Sequence, residues 1–152
     1  MSTSITRKGF LGAGLAASAG FAGFAQSASA QELSAREQAN LDLVTEFCGA
    51  FATRDMKKIQ SYLADDFVYR LAEFAPWRSG EDGLNAMRSY VDSSETINFE
   101  ILGSWARGPI VVNERIDHFT GERTRDIHLT GVFFVVDGKI KEWADYSYTP
   151  RV

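Results

Sequence analysis

The sequence predicts an α+β domain in which three N-terminal helices close a deep pocket against a curved, mixed but mostly antiparallel sheet. Two observations lead to this fold class. Amphipathic helical patterns lie between residues 34 and 92, whereas runs typical of β-strands fill most of the chain after Asp92. This segregation is typical of α+β domains and excludes the alternating order of a βαβ sheet. The 152 residues, 45% of them hydrophobic, suffice for one core and are too few for two ordinary domains.

Three helices are predicted from their caps and their apolar spacing. Ser34 and Glu37 form a capping box, and the apolar positions that follow step by three and four residues until the helix ends near Arg54. Asp55 can cap a second, shorter helix, and Ser79 is expected to cap a third. The positions expected to face the core are Leu41, Val44, Phe47, Cys48, Phe51, Ile59, Tyr62, Leu63, Leu84, Met87, Tyr90 and Val91.

Five strands are predicted, one between the second and third helices and four after the third helix. A short strand at residues 67–69 follows a polar break at residues 64–66, between the second and third helices. The longer runs, rich in β-branched and aromatic residues, cover residues 97–105, 109–119, 125–136 and 139–148. Asp137-Gly138 between the last two runs is the strongest hairpin signal in the chain.

The first 30 residues have the features of an export signal that is removed. Arg7 and Lys8 precede a mildly apolar run at residues 12–25, and the Ala-Ser-Ala sequence of residues 28–30 is a suitable cleavage site. The segment resembles a twin-arginine signal in which Lys8 replaces the second arginine. Glycines and serines interrupt the run, which falls short of the ~20 strongly apolar residues of a membrane span. We therefore expect a periplasmic or secreted protein with no stable membrane anchor after processing.

The remaining residues, 31–152, are expected to form a single acidic domain. The whole chain has a net charge of −4, and removal of the basic signal makes the mature part more negative, so we expect no nucleic-acid partner. Cys48 is the one cysteine, which excludes an internal disulfide and a cysteine-based metal cluster. His118 and His128 are too few for a metal site and are expected to lie on the strand surface or to be hydrogen-bonded. No metal is predicted.

Three charged residues are candidates for acid–base chemistry. Arg115 and Asp117 are two positions apart in a predicted strand and therefore share a face, and Asp145 shares a face with Trp143 in the last strand. If this face is the concave one, an arginine between two aspartates would pair both charges and separate the two pKa values into one acid and one base. The alternative is that all three residues are exposed charges on the sheet surface.

Two segments resemble the limonene-1,2-epoxide hydrolase family, which belongs to the nuclear-transport-factor-two-like, polyketide-cyclase-like cone superfamily. The segments are residues 111–117, which contain Glu-Arg-Ile-Asp, and residues 137–146, which contain Trp-Ala-Asp-Tyr. The resemblance implies that Asp145 is the general base that activates water. It implies further that Asp117 is the general acid that protonates the epoxide oxygen, and that Arg115 is the bridge between the two.

The resemblance also implies that Tyr69 helps to hold the water. Where the family has an asparagine two residues after this tyrosine, the present sequence has Leu71, which removes one partner of the water. Such an enzyme would add water to a small hydrophobic epoxide in one step, giving a vicinal diol without a cofactor or a covalent intermediate. We also expect a homodimer. The residues expected to bind the substrate are Leu71, Phe74, Trp77, Trp105, Phe133 and Trp143.

Two other functions remain open at this stage. The same cone hosts isomerases and polyketide cyclases, so the pocket could open an epoxide intramolecularly or catalyse an isomerisation like that of ketosteroids. A non-catalytic periplasmic module that binds a small molecule is the second alternative. For the three aromatic residues Phe74, Trp77 and Trp105, plain packing is an equally good interpretation.

Overall fold

The computed structural model describes residues 32–122 and 124–148. The predicted export signal, residues 1–30, lies outside the described residues. Within the described part of the chain, no helix has the length and apolar character that a membrane crossing requires.

The described residues form three α-helices at the predicted places. Ser34 caps the first by the predicted reciprocal bonds with Glu37, and Asp55 caps the second by accepting from the amides of its first turn. The third begins after Ser79 as expected, but the Ser79 side chain makes no capping hydrogen bond, so the predicted cap is wrong in its chemistry. The helices are α1 Ala35–Ala50, followed by a 3₁₀ turn at Phe51–Thr53, α2 Met56–Gln60 and α3 Gly80–Asp92.

Six strands form one sheet in the described part of the chain. They are β1 Leu63–Arg70, β2 Arg78–Ser79, β3 Ser94–Arg107, β4 Ile110–Gly121, β5 Arg125–Val136 and β6 Lys139–Ser147. Their order across the sheet is β2-β1-β6-β5-β4-β3, and every neighbouring pair is antiparallel except β1 and β6, which are parallel. The prediction of an α+β cone with a curved, mixed and mostly antiparallel sheet is confirmed.

The first strand is longer than predicted. Residues 64–66, expected to be a break, belong to β1, and Leu63 begins this strand instead of ending α2. Asp65 and Asp66 are exposed because β2 pairs only with Val68 and Tyr69, which leaves the start of β1 at an edge where charged residues are tolerated. The two-residue β2 carries too little sequence signal to be predicted.

The hairpin between β5 and β6 has the predicted geometry. Asp137 and Gly138 have φ angles of 50° and 71°, the positive values that a type I′ turn requires at both central positions. Beyond the turn, a register shift between Phe134 and Val135 lets one extra residue into β6, and the shifted register pairs Phe133 with Trp143 and Gly131 with Asp145. The turn and this bulge together fix which residues of β5 lie beside the end of β6.

The helices cover the concave face of the sheet with an aromatic core. Phe47 and Phe51 from the helical side pack edge-on against Trp143, with ring centroids 5.1 and 5.8 Å apart. The inner positions predicted for the helices are buried, except that Leu41 and Tyr62 are only partly buried. Cys48 is buried among them, as expected for a small apolar side chain.

Candidate active site

One face of β4 supplies the central side chains of the candidate site. Asn113, Arg115 and Asp117 alternate along the strand, and 0%, 0% and 3% of their surfaces are exposed. The residues between them point to the opposite, more exposed side of the sheet. The two-residue period thus places Arg115 and Asp117 on one buried face, as predicted, and the alternative of exposed surface charges is wrong.

Arg115 links the two aspartates. Its Nε donates to Asp117 Oδ1 at 2.7 Å, its Nη2 to Asp145 Oδ1 at 3.0 Å, and its Nη1 to Asn113 Oδ1 at 2.9 Å. The guanidinium plane is therefore held by three side chains from two strands. A buried charge is destabilising unless it is paired and hydrogen-bonded, and this arrangement satisfies both conditions.

Asp145 has one occupied oxygen and one open oxygen. Trp143 Nε1 donates to Asp145 Oδ1 at 2.7 Å, the same oxygen that accepts from Arg115. No donor among the described residues bonds Oδ2 of this carboxylate. The carboxylate is therefore fixed in orientation through one oxygen, while the other is available to a guest in the cavity.

The two carboxyl groups share one neutralising partner. Burial raises the pKa of Asp117 to about 7, with Arg115 opposing the rise and Asp145 adding to it. Burial also raises the pKa of Asp145, against the charge of Arg115 and the hydrogen bond from Trp143. One guanidinium cannot neutralise two buried carboxylates, so the pair holds a proton near neutral pH. The indole N–H of Trp143 donates to Asp145 alone, and this hydrogen bond favours the ionised form of that carboxyl group.

Both carboxyl groups open into one cavity of about 580 Å³. Tyr69 and Trp143 line it beside them, whereas Leu71 and Phe74 line it from the loop after β1. Leu71 and Phe74 are 51% and 84% exposed, which places them at its mouth. Arg115 is fully buried and lies behind the carboxylates.

Tyr69 is part of the wall next to Asp145. It pairs with Trp143 in the parallel register of β1 and β6, and the two rings lie with centroids 4.4 Å apart at an angle of 33°. The phenol is completely buried, and burial raises its pKa well above the usual range. It therefore acts as a neutral hydroxyl at physiological pH.

Trp105 does not line the cavity, contrary to the prediction. A register shift between Ile101 and Gly103 lets one extra residue into β3, so the faces exchange beyond that point. Phe99 before the shift is buried and lines the cavity, whereas Trp105 after it is 53% exposed. Gly103, a glycine inside the strand at the shift, is the local sign of this bulge in the sequence.

Trp77 and Phe133 are also absent from the cavity wall. Trp77 is half exposed, and the Arg70 guanidinium lies 4.9 Å from its ring centroid on the outside of the sheet. Phe133 points to the concave side but is fully buried, with its ring stacked on Trp143 at 5.8 Å and 14°. It supports the wall from behind and does not contact the cavity.

His118 belongs to the outer face of the sheet. Its Nδ1 and Nε2 lie 2.7 Å from Asp126 Oδ1 and 3.0 Å from Glu100 Oε2, which raises the pKa of the imidazole. The prediction of a hydrogen-bonded surface histidine is confirmed for this residue. Among residues 32–122 and 124–148, no group of three or more His, Cys, Asp and Glu side chains is arranged to hold a metal ion.

Comparison with known families places the fold. Residues 44–143 match the family described as the SnoaL-like domain. This chain belongs to the SnoaL-like family.

Three solved structures resemble this SnoaL-like domain. An LEH-like epoxide hydrolase from M. tuberculosis is 26% identical, with a TM-score of 0.60 over 74% of this chain and 84% of that chain. A putative ketosteroid isomerase from Kribbella flavida is 18% identical, with a TM-score of 0.63 over 76% and 84%. A putative SnoaL-like polyketide cyclase from Jannaschia is 12% identical, with a TM-score of 0.66 over 77% and 90%. The last two likenesses concern the fold alone.

Sequence reasoning missed two residues that shape the Arg115 site of the SnoaL-like domain. Asn113 accepts a hydrogen bond from Arg115 Nη1. Its spacing of two residues from Arg115 and four from Asp117 indicates that all three side chains share one face of the strand. Gly131 pairs with Asn113 on one side and Asp145 on the other, directly beneath the guanidinium. This close approach depends on the pairing of three strands, so a single-strand pattern cannot reveal it.

Replacing Gly131 with alanine is expected to lower the free energy of unfolding by about 1–3 kcal/mol, the usual effect of overpacking. The new Cβ would lie 2.2 Å from Arg115 Nη1 and 2.8 Å from Asn113 Oδ1, inside contact distance. Urea unfolding measures the change. Gly103→Ala is the matched control, because a Cβ on that strand glycine meets nothing within 4 Å. Equal stability of the two variants would contradict the tight fit.

Proposed function

We propose that the SnoaL-like domain is an epoxide hydrolase that adds water to a small hydrophobic epoxide and releases a vicinal diol. The observation that carries the proposal is the buried bridge from Asp117 through Arg115 to Asp145, with both carboxyl groups facing one cavity. Opening an epoxide needs a proton for its oxygen and a deprotonated water for its carbon. The bridge supplies one protonated and one ionised carboxyl group for these two tasks.

The residues act in a single concerted step. Asp145 Oδ2 takes a proton from the water as the water oxygen bonds to the epoxide carbon. The carbon–oxygen bond of the ring breaks, and the oxygen receives the proton of Asp117. Arg115 stays charged and hydrogen-bonded to both carboxylates, so its electrostatic stabilisation persists while the proton changes place. Transfer of a proton from Asp145 back to Asp117 through solvent restores the starting state.

Apolar walls fit the rest of such a substrate. Leu71, Phe74, Phe99 and Trp143 line the same cavity as the two carboxyl groups. Binding of a hydrophobic epoxide removes water from around the two carboxyl groups, which strengthens the electrostatic interactions between them, Arg115 and the substrate. The 26% identical LEH-like epoxide hydrolase of M. tuberculosis also supports this reaction class.

Product analysis with labelled water tests the proposal. Cyclohexene oxide and limonene oxide are each incubated with excess enzyme in heavy-oxygen water for one turnover. We expect a diol that carries the label in this first turnover, because water attacks directly. An aspartyl ester intermediate would instead deliver unlabelled enzyme oxygen first. Absence of diol, or an unlabelled first product, contradicts the proposal.

An intramolecular opening is the second candidate, and Leu71 favours it. This apolar side chain lines the cavity and offers no hydrogen bond to a water molecule. A hydroxyl group of the substrate itself could then attack, with the same roles for Asp117 and Asp145. The product would be a cyclic ether of unchanged mass. Mass spectrometry distinguishes this outcome from hydrolysis, which adds one water.

The rate of hydrolysis is expected to fall as the pH rises through about 7. Asp117 must carry a proton to act as the acid, and burial raises its pKa to about 7. The rate is also expected to fall at low pH, because Asp145 must be ionised to act as the base and burial raises its pKa as well. The dependence of kcat/KM on pH measures both limbs. A rate that stays constant from about pH 6 to 9 would exclude Asp117 as the acid.

A further inference from the structure

Two tyrosine hydroxyls in the cavity wall are buried without a hydrogen-bond partner among the described residues. They are Tyr69 Oη and Tyr90 Oη, and the residues are 0% and 9% exposed. Both residues line the cavity that contains Asp117 and Asp145. A buried hydroxyl that lacks a partner is destabilising, because no hydrogen bond offsets the loss of its hydration. Two such groups in one cavity therefore point to a small polar guest between them.

The rings that carry these hydroxyls are held by packing. Tyr90, on α3, is stacked on Phe51 with centroids 6.1 Å apart at 21°, and it meets Phe119 edge-on at 5.9 Å. Tyr69, on β1, lies on Trp143, the residue whose indole bonds Asp145. The hydroxyls thus approach the cavity from a helix and from the sheet.

The two hydroxyls and Asp145 form one local group. Burial raises the pKa of Tyr90 above its usual range; the Tyr69 hydroxyl, close to hydrogen-bonding range, opposes this effect, and the Asp145 carboxylate adds to it. Burial also raises the pKa of Tyr69, and Tyr90 and Asp145 add to that rise. The hydroxyls are close enough to affect each other's ionisation, yet they form no hydrogen bond of regular geometry. Both remain neutral and can donate or accept.

We propose that Tyr90 and Tyr69 together hold the attacking water beside Asp145 Oδ2. The inference rests on the proposed hydrolysis and assigns Tyr90 a direct contact with the nucleophile. The water donates one hydrogen to Asp145 Oδ2 and the other to one phenol oxygen, and it accepts a hydrogen bond from the other phenol. One lone pair stays free to form the bond to the epoxide carbon. The proton passes to Asp145 while Asp117 protonates the departing ring oxygen.

A high-resolution crystal structure tests the water position directly. We expect a water within hydrogen-bonding distance of Tyr69 Oη, Tyr90 Oη and Asp145 Oδ2, and its displacement in Tyr90→Phe. The two hydroxyls bonded only to each other, with no water on either, would overturn the inference. This measurement does not depend on turnover, so it stands apart from the test of the proposed function.

Kinetics of Tyr90→Phe provide the second test. We expect kcat to fall about 10- to 100-fold, because a poorly placed nucleophile loses its positioning advantage, with KM within about threefold of wild type. Folding stability should stay equal or rise, since the substitution removes a buried hydroxyl that no protein group satisfies. Tyr62→Phe is the matched control, because Tyr62 packs against the core and is not part of the cavity wall.

The outcomes separate the two proposals. An unchanged kcat in Tyr90→Phe, or an equal loss in the Tyr62 control, would overturn the role of Tyr90 while leaving hydrolysis in place. Absence of diol from the wild type would contradict hydrolysis. In that case, a water seated on both phenols would still support the tyrosine pair as a site for a hydroxyl group.

Discussion

Asp145→Asn is expected to lower the rate of diol formation at least about 100-fold, the scale of a positioned general base. The asparagine oxygen can still accept from Trp143 and Arg115, so the orientation of the side chain is preserved. Its amide nitrogen replaces the open carboxylate oxygen and cannot take a proton from water. The measurement is kcat on cyclohexene oxide, with thermal unfolding as the check that the domain is folded.

Asp126→Asn provides the control for the loss of a negative charge. Asp126 is exposed on β5 and bonds His118 on the outer face of the sheet, away from the cavity. Its removal should leave the rate within about threefold of wild type. If Asp145→Asn behaves like this control, Asp145 is not the base, and the assignment of the two carboxyl groups fails.

Arg115→Met is expected to destabilise the domain by about 3–5 kcal/mol near neutral pH and to abolish activity. The substitution leaves Asp117 and Asp145 buried beside each other with no countercharge. The loss should shrink as the pH falls, because the unpaired carboxylates take up protons and their repulsion disappears. Urea unfolding at several pH values measures this trend.

Two further variants separate charge from geometry. Arg115→Lys keeps the positive charge but lacks the planar fork that reaches two carboxylates and Asn113, so activity should be lost while part of the stability returns. Arg88→Met removes an arginine from the exposed face of α3 and should leave both properties unchanged. Wild-type stability of Arg115→Met would show that the bridge does not support the fold.

Sequence periodicity was sufficient to place candidate-site residues of the same strand on one face, because side chains in a strand alternate. The spacing of Arg115 and Asp117 placed them on one face, and the spacing of Trp143 and Asp145 placed a donor next to a carboxylate. These relations are local, within two residues of one strand. Burial of these side chains then follows from the curved sheet, whose concave face is covered by the helices.

Relations between distant elements could not be obtained in this way. The helical spacing placed Tyr90 on the inner face of α3, but the same pattern fits a plain core residue, and nothing local indicates that its hydroxyl reaches a cavity. Trp105 was misplaced because a bulge upstream exchanged the two faces of β3. For Phe133 the face was correct, but the stacking of Trp143 in front of it depends on the pairing of β5 and β6.

The position of β6 in the sheet has a consequence for biosynthesis. This strand lies between β1 and β5, and it pairs Trp143 with Tyr69, a residue far away in the sequence. Such non-local pairing makes folding slow, since a long loop must close before the contacts form. A nascent chain that stops before Lys139 leaves β1 and β5 with open edges and lacks Asp145 altogether. Incomplete chains therefore lack the candidate site and are prone to aggregate, and the site appears in the same late event that completes the sheet.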